Sequence, residues 1–309
     1  MKTLIEYMKD NKRIGTFGNA YLDYKLKGIN KGDLILIGSR SGAGKSTIAE
    51  LIATHNADKG VKVTLISLEN FEGDNILNTA FYYYKDLAKD YDLNIRDFMS
   101  GEFAINQSCL EQAEKMARKR FLNINIINRR VEGFTLADLK ECLTDAKVNK
   151  NSELVIIDHL DYFDKLSNES DNEHISNLMS EIREAQYALK MPVVAVSHLR
   201  KNGDKECKVP SMDEFIGSSN KVKQSTIVVL FAPDDETNEG RMLTDKYLRS
   251  TFCCVRKLRN GGIDNTVGRL EFDTKLGKYC NFWCEYKINY YGTKISETPI
   301  LTSKDMEQF

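Results

Sequence analysis

Ser39-Arg40-Ser41-Gly42-Ala43-Gly44-Lys45-Ser46, with Thr47 behind it, separates the apolar run Leu34–Ile37 from a stretch over 46–57 that carries Ile48, Leu51 and Ile52 on one side. Strand, glycine-rich turn and helix are the setting in which backbone N–H groups crowd around a phosphate chain, and the helix N-terminus adds partial positive charge. In such a loop the ammonium of Lys45 meets the terminal phosphates and the hydroxyl of Ser46 ligates Mg²⁺. ATP and Mg²⁺ are therefore the expected cofactors. The usual pattern opens on glycine, whereas this chain has Ser39 there and Gly38 one place too early. A small side chain still fits.

Three more positions could complete the chemistry. Leu154-Val155-Ile156-Ile157-Asp158 reads as a buried strand ending in a carboxylate, suited to hold Mg²⁺ where such sheets bind ligands. Glu69 follows the run Val63–Ser67 and either polarises a water for attack on the γ-phosphate or is a solvated loop carboxylate. His198 closes the run Val193–Ser197 and either senses that phosphate or is a structural histidine. Farther on, Arg256, Lys257, Arg259 and Asn260 precede a Gly-Gly turn. Such a cluster is a solvated face or, in a ring ATPase, charge supplied to a neighbour's transition state.

Short apolar runs alternating with helical patterns must position these groups, which is the signature of an α/β fold with a mostly parallel central sheet flanked by helices. Strands are expected at 34–37, 63–67, 154–157, 193–197, 227–230 and 252–255, several of them apolar on both faces as buried parallel strands are. Thr135 and Asp138 are spaced as a capping box for the helix bearing Leu136, Leu139 and Leu143. Three parts are expected: an N-terminal helix over 1–13 with the stripe Leu4, Ile5 and Met8, packing on this subunit or a neighbour; a single domain over 14–285; and a partly ordered tail over 286–309. A net charge of −1 gives no global field toward nucleic acid, so any contact needs a local patch or an assembled channel. Seven scattered cysteines, Cys280 and Cys284 among them, suggest reduced thiols rather than a disulfide framework or a zinc site. Neither a signal peptide nor a membrane-spanning run is expected, and the chain reads as cytoplasmic.

The motifs resemble, in order and spacing, the C-terminal ATPase domain of hexameric replicative helicases of the DnaB and Twinkle type, a superfamily 4 fold with a RecA-like P-loop NTPase core. The resemblance covers about residues 14–280 and includes TFGNAYLDYKLKGINKGDLILIG, LISLEN, IRDFMSGEF, GFTLADLKECL, LVIIDHLDYF, VVAVSHLRKN, KQSTIVVLF and KLRNGGIDNTVGRLEFD. It implies an ATP hydrolase driving a 5′–3′ DNA helicase, Glu69 as catalytic base, and Lys257 with Arg259 reaching into the next subunit's ATP site. The implied partners are copies of itself in a hexameric ring, single-stranded DNA, and a primase or loader, within a bacterial or phage-infected cell. His198 stands where bacterial members carry Gln and phage primase-helicases carry His. The family's DNA-holding loop usually has an Arg where this chain has Gly217, so Ser218, Asn220, Lys221 and Lys223 are the candidate DNA contacts. The family's N-terminal domain, a primase or a helical collar, has no counterpart in these residues, and no primase chemistry is expected of them. The rival readings are a RecA- or KaiC-like ATPase that unwinds nothing, and a ring ATPase that loads or scaffolds protein partners.

Overall fold

Central strands rich in apolar residues on both faces need cover on both sides, and the computed structural model, which describes residues 3–128, 133–200, 209–215, 218–241, 245–289 and 292–306, supplies it, burying strand segments 34–39, 63–67 and 154–158 at every position. A small ribbon pairs β1 (Arg13–Gly15) with β2 (Ile29–Asn30). The main sheet contains β3 (Leu34–Ser39), β4 (Val63–Ser67), β5 (Ile124–Asn128), β6 (Leu154–Asp158), β7 (Val193–His198), β8 (Ile227–Pro233), β9 (Leu248–Leu258), β10 (Thr266–Asp273), β11 (Lys278–Lys287) and β12 (Leu301–Thr302). Across the sheet their order is β12-β11-β10-β9-β8-β3-β7-β6-β4-β5. Neighbours from β8 to β5 run parallel, and those from β8 to β12 run antiparallel.

Side chains alternate between the two faces with the period of the pleat. Ile35 and Ile37 of β3, Leu154 and Ile156 of β6, and Val194 and Val196 of β7 join one core. Their neighbours Leu34, Leu36, Val155, Ile157, Val193 and Ala195 join the other. The helix Lys45–Asp58 covers the first face; Leu136–Val148 and Asp171–Leu189 cover the second. The expected capping box is present: Thr135 Oγ1 accepts from the Asp138 N–H while Asp138 accepts from the Thr135 N–H.

β3 lies between β7 and β8, yet its helix crosses β7 and β6 to reach β4. Such a reversal opens a crevice at the carboxyl ends of the strands, where open α/β sheets bind ligands. All six expected strands form, and 252–255 becomes the middle of the antiparallel β9. At the ends of the chain, the helix Leu4–Asp10 leaves Leu4, Ile5 and Met8 exposed, and Leu301–Thr302 pairs with β11. No helix among the described residues is long and apolar enough to cross a membrane.

Candidate nucleotide site

The loop after β3 turns on two left-handed glycines, Gly42 at φ 79° and Gly44 at φ 81°. L side chains rarely adopt that backbone. A Cβ on Gly44 would also stand 2.9 Å from Tyr279 Oη. Ser39 needs no such freedom: it ends β3, is buried, and its Oγ donates to the Arg40 carbonyl at 3.0 Å. That is why serine is accommodated at the position usually held by glycine. Gly44 gives the helix beginning at Lys45 no side-chain cap, so the first-turn N–H groups and the positive end of the helix dipole border the loop.

Parallel register gathers the remaining groups at this edge. Ser39 lies beside His198, Ser67 lies beside Asp158, and the Leu68 N–H donates to the Asp158 carbonyl at 2.7 Å. Glu69 is ion-paired with Lys45, and its Oε2 also lies 3.5 Å from Ser46 Oγ. Burial pushes the Glu69 carboxyl up, but Lys45 outweighs it and leaves the group below the usual carboxylate range. Burial, then His159 and Lys45, pull the titration of His198 below that of an ordinary histidine, with Asp161 and Glu69 opposing. The rings of His159 and His198 meet edge to face, 4.3 Å between centroids.

Asp158 is buried, and its Oδ1 has no hydrogen-bond partner among the described residues. Burial pushes its carboxyl up, with Lys45 and Ser46 opposing. A buried carboxylate oxygen left over beside a serine hydroxyl suits a hard divalent cation, which takes oxygen ligands. Ser46 and Asp158 therefore fit Mg²⁺. Among the described residues no group of three or more His, Cys, Asp or Glu could hold a metal, so the ion would complete its shell with phosphate oxygens and water. Beside Ser46 and Thr47 opens a cavity of about 300 Å³, lined also by Leu51, Tyr82, Arg120 and Tyr279.

The cations are placed less as the sequence suggests. Arg40 turns away from the loop and grips Glu214, Nε to Oε2 at 2.8 Å and Nη2 to Oε1 at 2.7 Å. Within the loop Ser41 is exposed and Ala43 buried. Lys221, expected at DNA, is fully buried with its Nζ on Asp161 and Ser197, so its charge is spent inside the protein. That expectation is corrected, because a buried and compensated ammonium offers nothing to a phosphate backbone. Lys223 is exposed and Asn220 half-buried on the helix Ser218–Gln224. Gly217 lies outside the described residues, as does the side chain of Ser218.

Lys257 Nζ donates to the carbonyls of Val222 and Lys223, at 2.6 and 3.3 Å, and so closes the last turn of that same helix. Arg259 is exposed at the opposite end of the sheet from the phosphate loop. Its N–H donates to the Thr226 carbonyl, just before Ile227, which pairs with Ile35 at the start of β3. The loop follows Ser39, four strand steps away, or roughly 13 Å before the loop itself is counted. His159, Asp161 and Glu214 also belong to the site, and sequence reading passed over them. A legible signal existed for one of them: Asp161 is a second acid three residues beyond Asp158, in the run Asp158-His159-Leu160-Asp161.

The model of the DnaB-like helicase C-terminal domain family matches residues 16–281. Similar curated proteins are the replicative DNA helicase DnaC of Bacillus subtilis (strain 168), 23% identical over 270 residues, and a probable replicative DNA helicase of Trieres chinensis, 25% identical over 275. These alignments take in 85% and 84% of this chain but 56% of either relative, so the chain spans about half the length of the curated relatives it matches. Among solved structures, one ATPase domain superposes with a TM-score of 0.70 at 22% identity, covering 90% of this chain and 94% of that one. A DnaB-like replicative helicase described with its interactions with primase gives a TM-score of 0.70 at 22% identity, covering 89% of this chain and 65% of that one.

Proposed function

Because the chain belongs to the DnaB-like helicase C-terminal domain family, we propose that it hydrolyses ATP and drives 5′–3′ translocation on single-stranded DNA, as a hexameric ring in the cytoplasm of a bacterial or phage-infected cell. A primase or a loader is the natural further partner, as in the solved relative described with primase. One observation carries the ring reading. Lys45, Ser46, Glu69, Asp158 and His198 converge at one edge of the sheet, while Arg259 stands exposed at the opposite edge. A guanidinium there cannot serve its own phosphate loop and is suited to a neighbour's.

In this reading Lys45 and the loop N–H groups bind the phosphate chain, and the cavity beside Thr47 has room for the nucleoside. Ser46 and Asp158 hold Mg²⁺, which neutralises charge on the β- and γ-phosphates when bound. Glu69 takes the proton of the attacking water. His198 contacts the terminal phosphate. Lys257 and Arg259 serve the adjoining subunit's site. On the DNA side, Ser218, Asn220 and Lys223 remain the candidate contacts, with Lys223 the exposed cation among them. The loss of Lys221 from that set favours, as the second reading, a RecA- or KaiC-like ATPase that does not unwind.

A forked duplex with a 5′ tail separates the two. Strand displacement that requires ATP and Mg²⁺ and vanishes in Lys45→Ala supports the helicase. Rings seen by light scattering that hydrolyse ATP yet displace no strand would overturn it in favour of the second reading.

A further inference from the structure

We infer that Lys221 is a positioning residue for ATP turnover, a buried ammonium that ties the tip of β7, and His198 with it, to the helix Ser218–Gln224. The inference rests on the reading of His198 as the group that meets the terminal phosphate. Lys221 Nζ donates to Asp161 Oδ1 at 2.9 Å and to Ser197 Oγ at 2.7 Å. Asp161 in turn accepts the His198 backbone N–H at 2.7 Å and the Ser197 hydroxyl at 3.1 and 3.2 Å from its two oxygens, and its Oδ2 lies 3.3 Å from His159 Nδ1. Two hydrogen bonds in series thus join the lysine to the His198 backbone.

Stability alone does not call for this arrangement. An ammonium is costly to bury even when paired, and an apolar side chain of similar length commonly fills such a space as well or better. What the ion pair supplies is direction, since it fixes one helix against one strand tip. Seven residues earlier, Glu214 is held by Arg40 of the phosphate loop through two bonds. Glu214 is therefore fastened to the phosphate loop and Lys221 to the tip of β7. Lys257 of β9 grips the far end of the same helix. Movement at the terminal phosphate would then be handed to this helix, and Lys221 is the link.

Steady-state ATP turnover of wild type, Lys221→Met, His198→Ala and the double variant tests the link. Acting through His198, Lys221→Met should lower kcat on the order of tenfold, while KM for ATP stays within about twofold because the phosphate loop is untouched. In the His198→Ala background it should cost nothing further, since residues acting in series are non-additive. Should Lys221→Met not fold, the neutral pair Lys221→Met with Asp161→Asn enters the cycle in its place. Unchanged kcat, a rise confined to KM, or losses that multiply across the cycle would each overturn the inference and leave the nucleotide site standing. A His198→Ala enzyme at wild-type speed would instead remove the reading of His198, and the inference with it.

Discussion

Glu69 and Lys45 are ion-paired, so a phosphate chain reaching Lys45 competes with the carboxylate that is to activate water. Glu69→Gln should therefore keep or slightly tighten ATP binding while lowering hydrolysis about 10²- to 10⁴-fold. Filter binding together with phosphate release checks it, and normal turnover would return Glu69 to a solvated loop carboxylate. Asp161 offers a test in pH. Burial pushes its carboxyl up, but His159, Lys221 and the His198 N–H leave it well below the usual range. As pH falls, the unfolded chain takes up this proton first, near pH 3.9. The stability from Asp161 is thus complete above that pH and drains away as pH drops through the folded value. Urea midpoints should fall more steeply from about pH 5 to 3 in wild type than in Asp161→Asn/Lys221→Met, and parallel slopes would show that the pair is energetically silent. Lys45, Ser46 and Asp158 were legible because their partners are local or sit at strand ends. Lys221 was not, because its carboxylate lies 60 residues away in sequence and a lysine reads as surface until its partner is known.

The six expected strands were legible because the apolar run that marks each one is wholly or largely buried. β5 escaped because it is an edge strand, mostly half-buried, with Asn125 and Asn128 among its five residues. β10 and β11 escaped for a related reason: charged residues interrupt both, and what holds them is pairing with each other, of β10 with β9 and of β11 with β12, which no local pattern announces. The turn Met212–Glu214 shows the same limit, since its importance comes from Arg40 across the fold. With Glu214 fully buried and Arg40 mostly so, Glu214→Gln should lower unfolding free energy by about 2 kcal/mol. Denaturant titration measures this, and a loss below about 0.5 kcal/mol, within the range of ordinary surface changes, would mean that the contact positions nothing.

Within a single copy of this chain the phosphate loop and Arg259 lie at opposite ends of the β3–β8 pair, and the proposed site is complete only if a neighbour brings the two together. Register settles the geometry: Ser39 leads into the loop at the end of β3 beside Phe231, whereas Arg259 hangs from Thr226 at the start of β8. If neighbouring subunits bring these edges together, Arg259 stabilises charge developing on a neighbour's γ-phosphate. Its guanidinium stays ionised and offers a planar fork of donors that a lysine would not reproduce. Arg259→Ala should then assemble and bind ATP almost normally but hydrolyse it roughly 10³-fold more slowly or worse. Lys257 adds a conformational condition, because its ammonium is now committed to the helix Ser218–Gln224 and must leave those carbonyls to act across an interface. Mixing decides the matter. Arg259→Ala subunits retain an intact phosphate loop, and Lys45→Ala subunits retain an intact Arg259, so combined rings should regain hydrolysis wherever the two intact halves meet. Mixed rings that demonstrably form and yet recover nothing would remove the assignment between subunits. An Arg259→Ala ring as fast as wild type would reduce the cluster to a solvated basic turn.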